Sequence, residues 1–322
     1  MNMIKKRILT FFSLTFFVIS SPVLSQSHWE QWVENLRKEA LSQGISPALF
    51  DRVFQHMLPL QQTLFLDRTQ PEKRISFKQY LKTRGDSYRI QLGRSQYKRY
   101  KPLLNSLEQR YGVNSCIILS LWGMESSYGR YLGTFPVIQT LATLAYDTRR
   151  AAFFRNELLI ALHILDEGHI DNEHFKGEWA GASGHPQFLP SSWKKYAVDY
   201  DGDGYKNIWT DIPDGLASIA NYLSLNGWQA REPWALEISL PPSFSLSGNE
   251  VSDEKNVGDW LNMGIQFSSS SNISSHLPAR IFTPAGGPYF MIFHNFDVIK
   301  EYNHSNFYAG TVGYMANRMC SS

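Results

Sequence analysis

Cysteine is scarce: the 322 residues contain only Cys116 and Cys320. Two cysteines so far apart fit no metal-ligand spacing, which excludes a cysteine-built metal centre. In an oxidising compartment they could pair; equally, Cys116 reads as a small hydrophobe of a buried helix, and the sequence leaves both open. A run of about 20 apolar residues is also missing, and with it a comfortable transmembrane helix. Net charge is nearly absent, 31 basic residues standing against 29 acidic, so the overall balance implies no nucleic-acid partner. No internal repeat is present.

What is there begins with a distinct N-terminus. Lys5, Lys6 and Arg7 precede the apolar stretch ILTFFSLTFFVIS, and Val23, Leu24 and Ser25 precede Gln26. A basic segment, a short apolar segment and a small-residue cleavage point read as a secretory leader over residues 1–25, with an uncleaved membrane anchor as the alternative. The expectation is an exported protein, soluble or loosely membrane-associated. Removing the leader takes away three basic charges and leaves the chain near neutral. The length favours two or three structural units, and 43% hydrophobic residues supply ample core.

From residue 28 to 110 the pattern is helical, with long aliphatic and basic residues and few glycines. Within it ten basic residues from Lys73 to Lys101, among them Arg84 and Arg89, are interrupted only by Asp86. They read as a solvated helical face, or more sharply as a surface that attracts an anionic polymer. From 113 to 229 short helical patterns alternate with glycine-rich turns. Trp234–Leu240, Arg280–Thr283 and Tyr289–Phe293 carry strand and hairpin signals, and Ser305–Met319 returns to helix. The expected class is mainly α (α+β), with a helical domain over 26–110, a core over 111–229, a small antiparallel β domain over 230–300 and a C-terminal helix over 301–322.

Asn114 and Ser115 are N-cap candidates for the stretch CIILSLWGMESSYG, which is apolar on nearly every face and so reads as a central helix. Glu125 sits at its C-terminal end, where burial and the helix dipole both disfavour a negative charge. A carboxyl whose pKa is raised in this way suits a general acid. A helix-end glutamate reaching solvent past Ser126, Ser127 and Gly129 is the plainer alternative. Glycosidases usually use two carboxylates, and this helix offers no second one.

The stretches GMESSYGRYLGTFPVIQTLATLAYDTRRAAFF and KGEWAGASGHPQFLPSSWKKYAVDYDGDGYKNIW resemble the membrane-bound lytic murein transglycosylase B family, glycoside hydrolase family 103. LDRTQPE (66–72), RYGV (110–113), IANYLSLNGW (219–228) and YNHSNFYA (302–309) extend the resemblance over most of the chain. It implies a lysozyme-like catalytic core, a periplasmic location, and peptidoglycan glycan strands as substrate. It implies cleavage of the MurNAc–GlcNAc β-1,4 bond by the muramyl C6 hydroxyl, giving 1,6-anhydromuramyl ends. Glu125 would act as single acid and base. Ser126, Arg149, Arg150, Gln187, Tyr222, Asn303 and Tyr308 match substrate-binding positions, the two arginines suiting peptide carboxylates. No organic cofactor is implied. A monomer is expected, with cell-wall synthesis proteins as the class of partner. The rivals are a muramidase releasing reducing ends and a non-catalytic cell-wall-binding scaffold.

The chain also departs from the family. Glu178 stands where a serine is usual, and Ser183 where a methionine is usual, with Pro186 stiffening the next turn. A carboxylate at 178 would raise the Glu125 pKa by like-charge repulsion and titrate with it, or act as a base for water; the preferred expectation is that it turns to solvent. Finally, Asp199, Asp201 and Asp203 occupy positions 1, 3 and 5 of an EF-hand-like loop, with Gly204 at 6, the Tyr205 carbonyl at 7 and Asn207 at 9. Position 12 is Thr210, so the usual bidentate glutamate is missing. By resemblance Asp214 closes the loop, with Asp211 as the fallback, around a structural Ca2+.

Overall fold

A computed structural model describes residues 22–69, 75–147, 149–246 and 250–320; the leader up to residue 21 and the start of the basic run at Lys73 and Arg74 lie outside them. Five helices come first: α1 (Pro22–Ser42), α2 (Pro47–Phe54), α3 (Gln61–Arg68), α4 (Phe77–Arg84) and α5 (Ser87–Tyr111). Asp86 caps α5 by accepting from the Arg89 N–H, and the helix kinks at Tyr100, two residues before Pro102.

The central helix is α6 (Ser115–Ser126). Asn114 caps it, its Oδ1 accepting from the Cys116 N–H at 3.0 Å. Only Met124 and Glu125 of its residues are less than fully buried. With so little polar surface it has to be covered all round, and α5, α10 (Ile212–Leu225) and α13 (Asn306–Cys320) cover it. Close approach needs small residues: a side chain at Gly123 would overlap the Tyr128 ring, and one at Gly313 would meet the Trp234 ring at 2.1 Å. Ser120 Oγ donates to the Val312 carbonyl at 2.6 Å, so the one polar side chain deep inside α6 is satisfied on α13.

A second core joins α1 and α2 to α7 (Val137–Tyr146), α8 (Ala151–Asp166) and α9 (Pro190–Tyr196). Packing thus cuts across the division drawn from sequence, because the amphipathic faces of α1 and α2 meet residues more than a hundred positions away while α5 belongs with α6 and α13. Two short strands, β1 (Phe135–Pro136) and β2 (Lys176–Gly177), pair antiparallel above it.

The β domain is one five-stranded antiparallel sheet of order β4-β6-β7-β3-β5. Its main strands are β3 (Ala235–Ser239), β6 (Pro278–Phe282) and β7 (Tyr289–Ile292), close to the segments read from sequence; β4 (Lys255–Asn256), β5 (Gln266–Phe267) and α11 (Val257–Asn262) were not anticipated. Side chains alternate between faces. Phe290 and Ile292 point into the core of α6 and α13, whereas Met291 and Phe293 face Trp260 and Val257. The sheet is therefore buried on both sides, and α12 (His294–Tyr302) leads the chain back to α13.

Cys116 and Cys320 form a disulfide with Cα atoms 6.3 Å apart, tying the first turn of α6 to the last turn of α13 across 204 positions. A link across so long a loop restricts the unfolded chain, typically worth about 2–4 kcal/mol. The double variant Cys116→Ser/Cys320→Ser should melt several degrees lower than the wild type, as read by thermal denaturation, and an unchanged midpoint would count against this role.

Candidate active site

The last turn of α6 delivers Glu125 to the floor of a cleft of about 600 Å3. The helix stops because Ser127 (φ 50°), Tyr128 (φ 61°) and Gly129 (φ 77°) run consecutively in the left-handed region. Among the described residues four non-glycine residues have positive φ, and Ser127, Tyr128 and the cleft residue Gln187 (φ 51°) are three of them. Such strain persists only where the surroundings over-determine it. Here Tyr128 is buried and its hydroxyl donates to the Arg89 carbonyl at 2.9 Å.

Ser126 lies below the cleft and not in it. It is fully buried, and its hydroxyl accepts from the Gly129 N–H at 3.1 Å while standing 3.0 Å from the His185 carbonyl. The His185 ring fits between Gly129 and Gly215, where added side chains would overlap it, and its Nδ1 accepts from Trp122 Nε1 at 3.0 Å. Burial pushes its pKa down to about 4, so it is neutral and structural.

Glu125 is half-buried, and its Oε1 accepts a hydrogen bond from the Tyr308 hydroxyl. Tyr308 is itself buried, in the first turn of α13. Burial raises the Glu125 pKa to about 7; the Tyr308 hydrogen bond and the Arg84 charge pull the other way. Near neutrality the group is therefore present both as acid and as base.

The walls come from three places. The α4–α5 junction supplies Tyr80, Arg84 and Arg89, the last donating to the Arg84 carbonyl and to Ser127 Oγ. The α12–α13 junction supplies Tyr302, Asn303 and Tyr308. Tyr302 donates to the Pro186 carbonyl at 2.7 Å and so locks this junction to the Gln187 turn. Gln187 is anchored through Nε2, which donates to the Gly184 carbonyl at 2.9 Å, leaving its buried Oε1 with no partner among the described residues.

Glu178 also lines the cleft, against the expectation that it turns to solvent. Its pKa is raised by burial and lowered by Arg84. Burial, the Tyr308 hydrogen bond and the Arg84 charge are the causes that shift the Glu125 pKa. Ser183 is buried beneath, accepting from Trp209 Nε1 at 3.0 Å.

Other residues matched to substrate positions lie elsewhere. Arg149 and Arg150 both pair with the buried Asp67, and neither lines the cleft. Tyr222 sits behind Tyr302, ring centroids 4.7 Å apart, with its hydroxyl donating to the Glu301 carbonyl at 2.6 Å. Sequence reasoning missed Tyr80, Arg84, Arg89 and Tyr302. The basic run did contain both arginines, and the YNHSNFYA stretch contained Tyr302.

In the acidic loop, carboxylate oxygens of Asp199, Asp201 and Asp203 converge within 4.8 Å of one another. Gly202 and Gly204 turn the chain with positive φ, and no basic side chain pairs with the three among the described residues; the Lys206 ammonium lies over the Trp193 ring. This donor set fits a hard cation. Tyr205 follows, its N–H donating to Asp203. Asp214 is not in the cluster: its oxygens accept from the Tyr200 and Asn207 N–H groups, each at 2.7 Å, which pins the two ends of the loop together. Asp211 caps α10 and lies within the field of the three aspartates.

The chain matches the transglycosylase SLT domain family over residues 28–317. It is 32% identical over 229 residues to membrane-bound lytic murein transglycosylase B of Escherichia coli (strain K12), a match covering 69% of this chain and 62% of that relative, so it spans about three fifths of the curated relative's length. SltB3 from Pseudomonas aeruginosa, solved in complex with NAG-anhNAM-pentapeptide, is 39% identical with a TM-score of 0.86, over 91% of this chain and 80% of that one. The lytic transglycosylase Slt35 of Escherichia coli, solved in complex with calcium, is 28% identical with a TM-score of 0.76, over 91% and 92%. The fold shared with these structures is the lysozyme-like one expected from the sequence.

The raised pKa of Glu125 has a consequence that needs no substrate. An unfolded chain loses this proton near 4.5 and the folded chain only near 7, so the folded state holds the extra proton in between and stability falls as pH rises through that window. Glu125→Gln should therefore melt above the wild type at pH 8, on a scale of roughly 2–4 °C per kcal/mol, and the difference should vanish by about pH 4. Equal differences at both pH values in thermal melts would contradict the shift.

Proposed function

Because the chain belongs to the transglycosylase SLT domain family, we propose that it is a lytic transglycosylase that cuts the MurNAc–GlcNAc β-1,4 bond of peptidoglycan with Glu125 as its only acid and base. The observation that carries this reading is the half-buried Glu125 carboxyl on the floor of the cleft, with a pKa of about 7 and a hydrogen bond from the Tyr308 hydroxyl. Glycosidases that activate water use two carboxylates in partnership. Where Glu125 acts alone, the substrate supplies the nucleophile.

In the first step the Glu125 carboxylic acid gives its proton to the glycosidic oxygen as the bond from that oxygen to muramyl C1 breaks. In the second, the resulting carboxylate takes the proton of the muramyl C6 hydroxyl as O6 bonds to C1. The proton count of Glu125 closes, no water is consumed, and the product is a 1,6-anhydromuramyl end. Tyr308 stabilises the carboxylate formed between the steps. Gln187 lines the cleft, where an amide suits an N-acetyl group, and the exposed Asn303 amide offers both donor and acceptor.

The location in this reading is the periplasm, reached through the N-terminal leader; no described helix is long and apolar enough to cross a membrane. The working unit is a monomer. Ca2+ held by Asp199, Asp201, Asp203 and the Tyr205 carbonyl, with Asp214 pinning the loop, would neutralise three clustered charges and stiffen this segment. No step of the reaction passes through it.

The direct test is mass spectrometry of fragments released from purified peptidoglycan. The wild type should give products lighter by one water than hydrolysis products, and Glu125→Gln should give none; reducing ends would make the protein a muramidase, and binding without release would make it a scaffold. For the cation, a chelator should lower the wild-type melting temperature by several degrees and leave Asp203→Ala unmoved. A melting curve indifferent to chelation would remove calcium from the account.

A further inference from the structure

Two side chains of the cleft carry charge that no ion pair neutralises among the described residues. Arg84 lines it with no carboxylate in ion-pair contact among the described residues, and Glu178 lines it with neither an ion pair nor a side-chain hydrogen bond. They do not touch each other, yet Arg84 is near enough to lower the Glu178 pKa. Arg149 and Arg150, the residues matched to a carboxylate-holding role, already pair with Asp67 outside the cleft. Anion recognition in the cleft therefore falls to Arg84, because the Arg89 guanidinium is engaged by the Arg84 carbonyl and Ser127.

The Glu178 carboxylate is presented by a rigid turn. Its N–H donates to the Ala182 carbonyl at 2.7 Å, and its own carbonyl accepts from the Gly181 N–H at 2.9 Å. At Gly177 just before it, a Cβ would lie 2.2 Å from the Ala182 carbonyl oxygen, so the turn closes only with glycine there. The Glu178 oxygens face the cleft with no donor from the protein among the described residues, so a ligand that enters can supply one. An ammonium brings three donors and the opposite charge, while a guanidinium suits a carboxylate in fork geometry. The glycan backbone of alternating N-acetyl sugars supplies no ammonium; the peptide attached to it supplies both signs.

We propose that Arg84 and Glu178 together read the stem peptide of the substrate, Arg84 binding a peptide carboxylate and Glu178 the free amine of a diamino acid. This rests on the peptidoglycan reading of the cleft. Glu178 is a specificity residue in this account and not a second catalytic carboxylate.

Three soluble substrates test it: glycan chains bearing stem peptides with free diamino-acid amines, the same chains with those amines acetylated, and chains stripped of peptide by an amidase. The wild type should favour the free-amine chain over the acetylated one by roughly fivefold in kcat/KM, chiefly through KM, the scale of one partly solvated ion pair. Glu178→Gln and Glu178→Ser should bring that ratio close to one. Arg84→Gln should lower kcat/KM on the peptide-bearing chain more than on the stripped chain. A wild type that does not discriminate, or Glu178 variants that keep the ratio while melting like the wild type, would overturn the proposal. So would a change from reducing to anhydro ends in Glu178→Ser, which would mark Glu178 as a base for water. Anhydro ends made by the wild type from the stripped chain uphold the parent reading whatever these ratios do, so the two fail separately.

Discussion

The contact between the Tyr308 hydroxyl and Glu125 joins residues 183 positions apart, and the architecture around it is arranged so that the two can meet. Glu125 ends a helix so apolar that it has to be central, and Tyr308 starts the helix that covers it. Between them the chain builds a second helical core and an entire β sheet before returning. The return is made secure by the Ser120–Val312 hydrogen bond, the Gly313–Trp234 packing and the disulfide at the far end of both helices. The β sheet, buried on both faces, serves as the buttress that holds α12 and α13 in place.

Below the carboxyl a second line of contacts joins the acidic loop to the floor of the cleft. Ser126 bonds to the His185 carbonyl, His185 donates its N–H to the Ile208 carbonyl, and Trp209 donates to Ser183. Ile208 and Trp209 belong to the loop that begins at Asp199. A cation bound in that loop, as proposed, would stiffen the support under the last turn of α6, although it lies far from Glu125 in sequence. His185 can serve as this joint because burial keeps it neutral: a charged ring packed against two glycines would need a counter-ion, and none pairs with it among the described residues.

Much of this was legible from the chain alone. The all-apolar stretch from Cys116 announced α6, alternation announced the three main strands, and the helix-end position singled out Glu125. Contacts between remote segments were not legible. The basic run from Lys73 to Lys101 reads as a solvated face because periodicity describes one helix at a time; only the placement of the α4–α5 junction against Glu125 turns Arg84 and Arg89 inward. Arg149 and Arg150 suit a carboxylate of the substrate, and nothing local reveals that Asp67, eighty residues earlier, claims both. The expectation that Glu178 turns to solvent failed for the same reason: only the folded chain shows that its turn lines the cleft, where the Arg84 charge reaches both it and Glu125.

The protonation of Glu125 shows why one carboxyl can suffice. Burial alone raises the pKa and leaves a carboxyl that holds its proton at neutral pH but is a weak acid, slow to give that proton to the glycosidic oxygen. An exposed glutamate near 4.5 has the opposite fault and holds no proton to give at neutral pH. Tyr308 resolves the conflict because its hydroxyl donates, and a donor stabilises the carboxylate more than the acid. The hydrogen bond opposes burial and leaves the group near 7, poised to give a proton and to take one back. The tyrosine is buried and its own pKa lies well above the ordinary value, so it stays a donor throughout and does not compete for the proton it helps to manage.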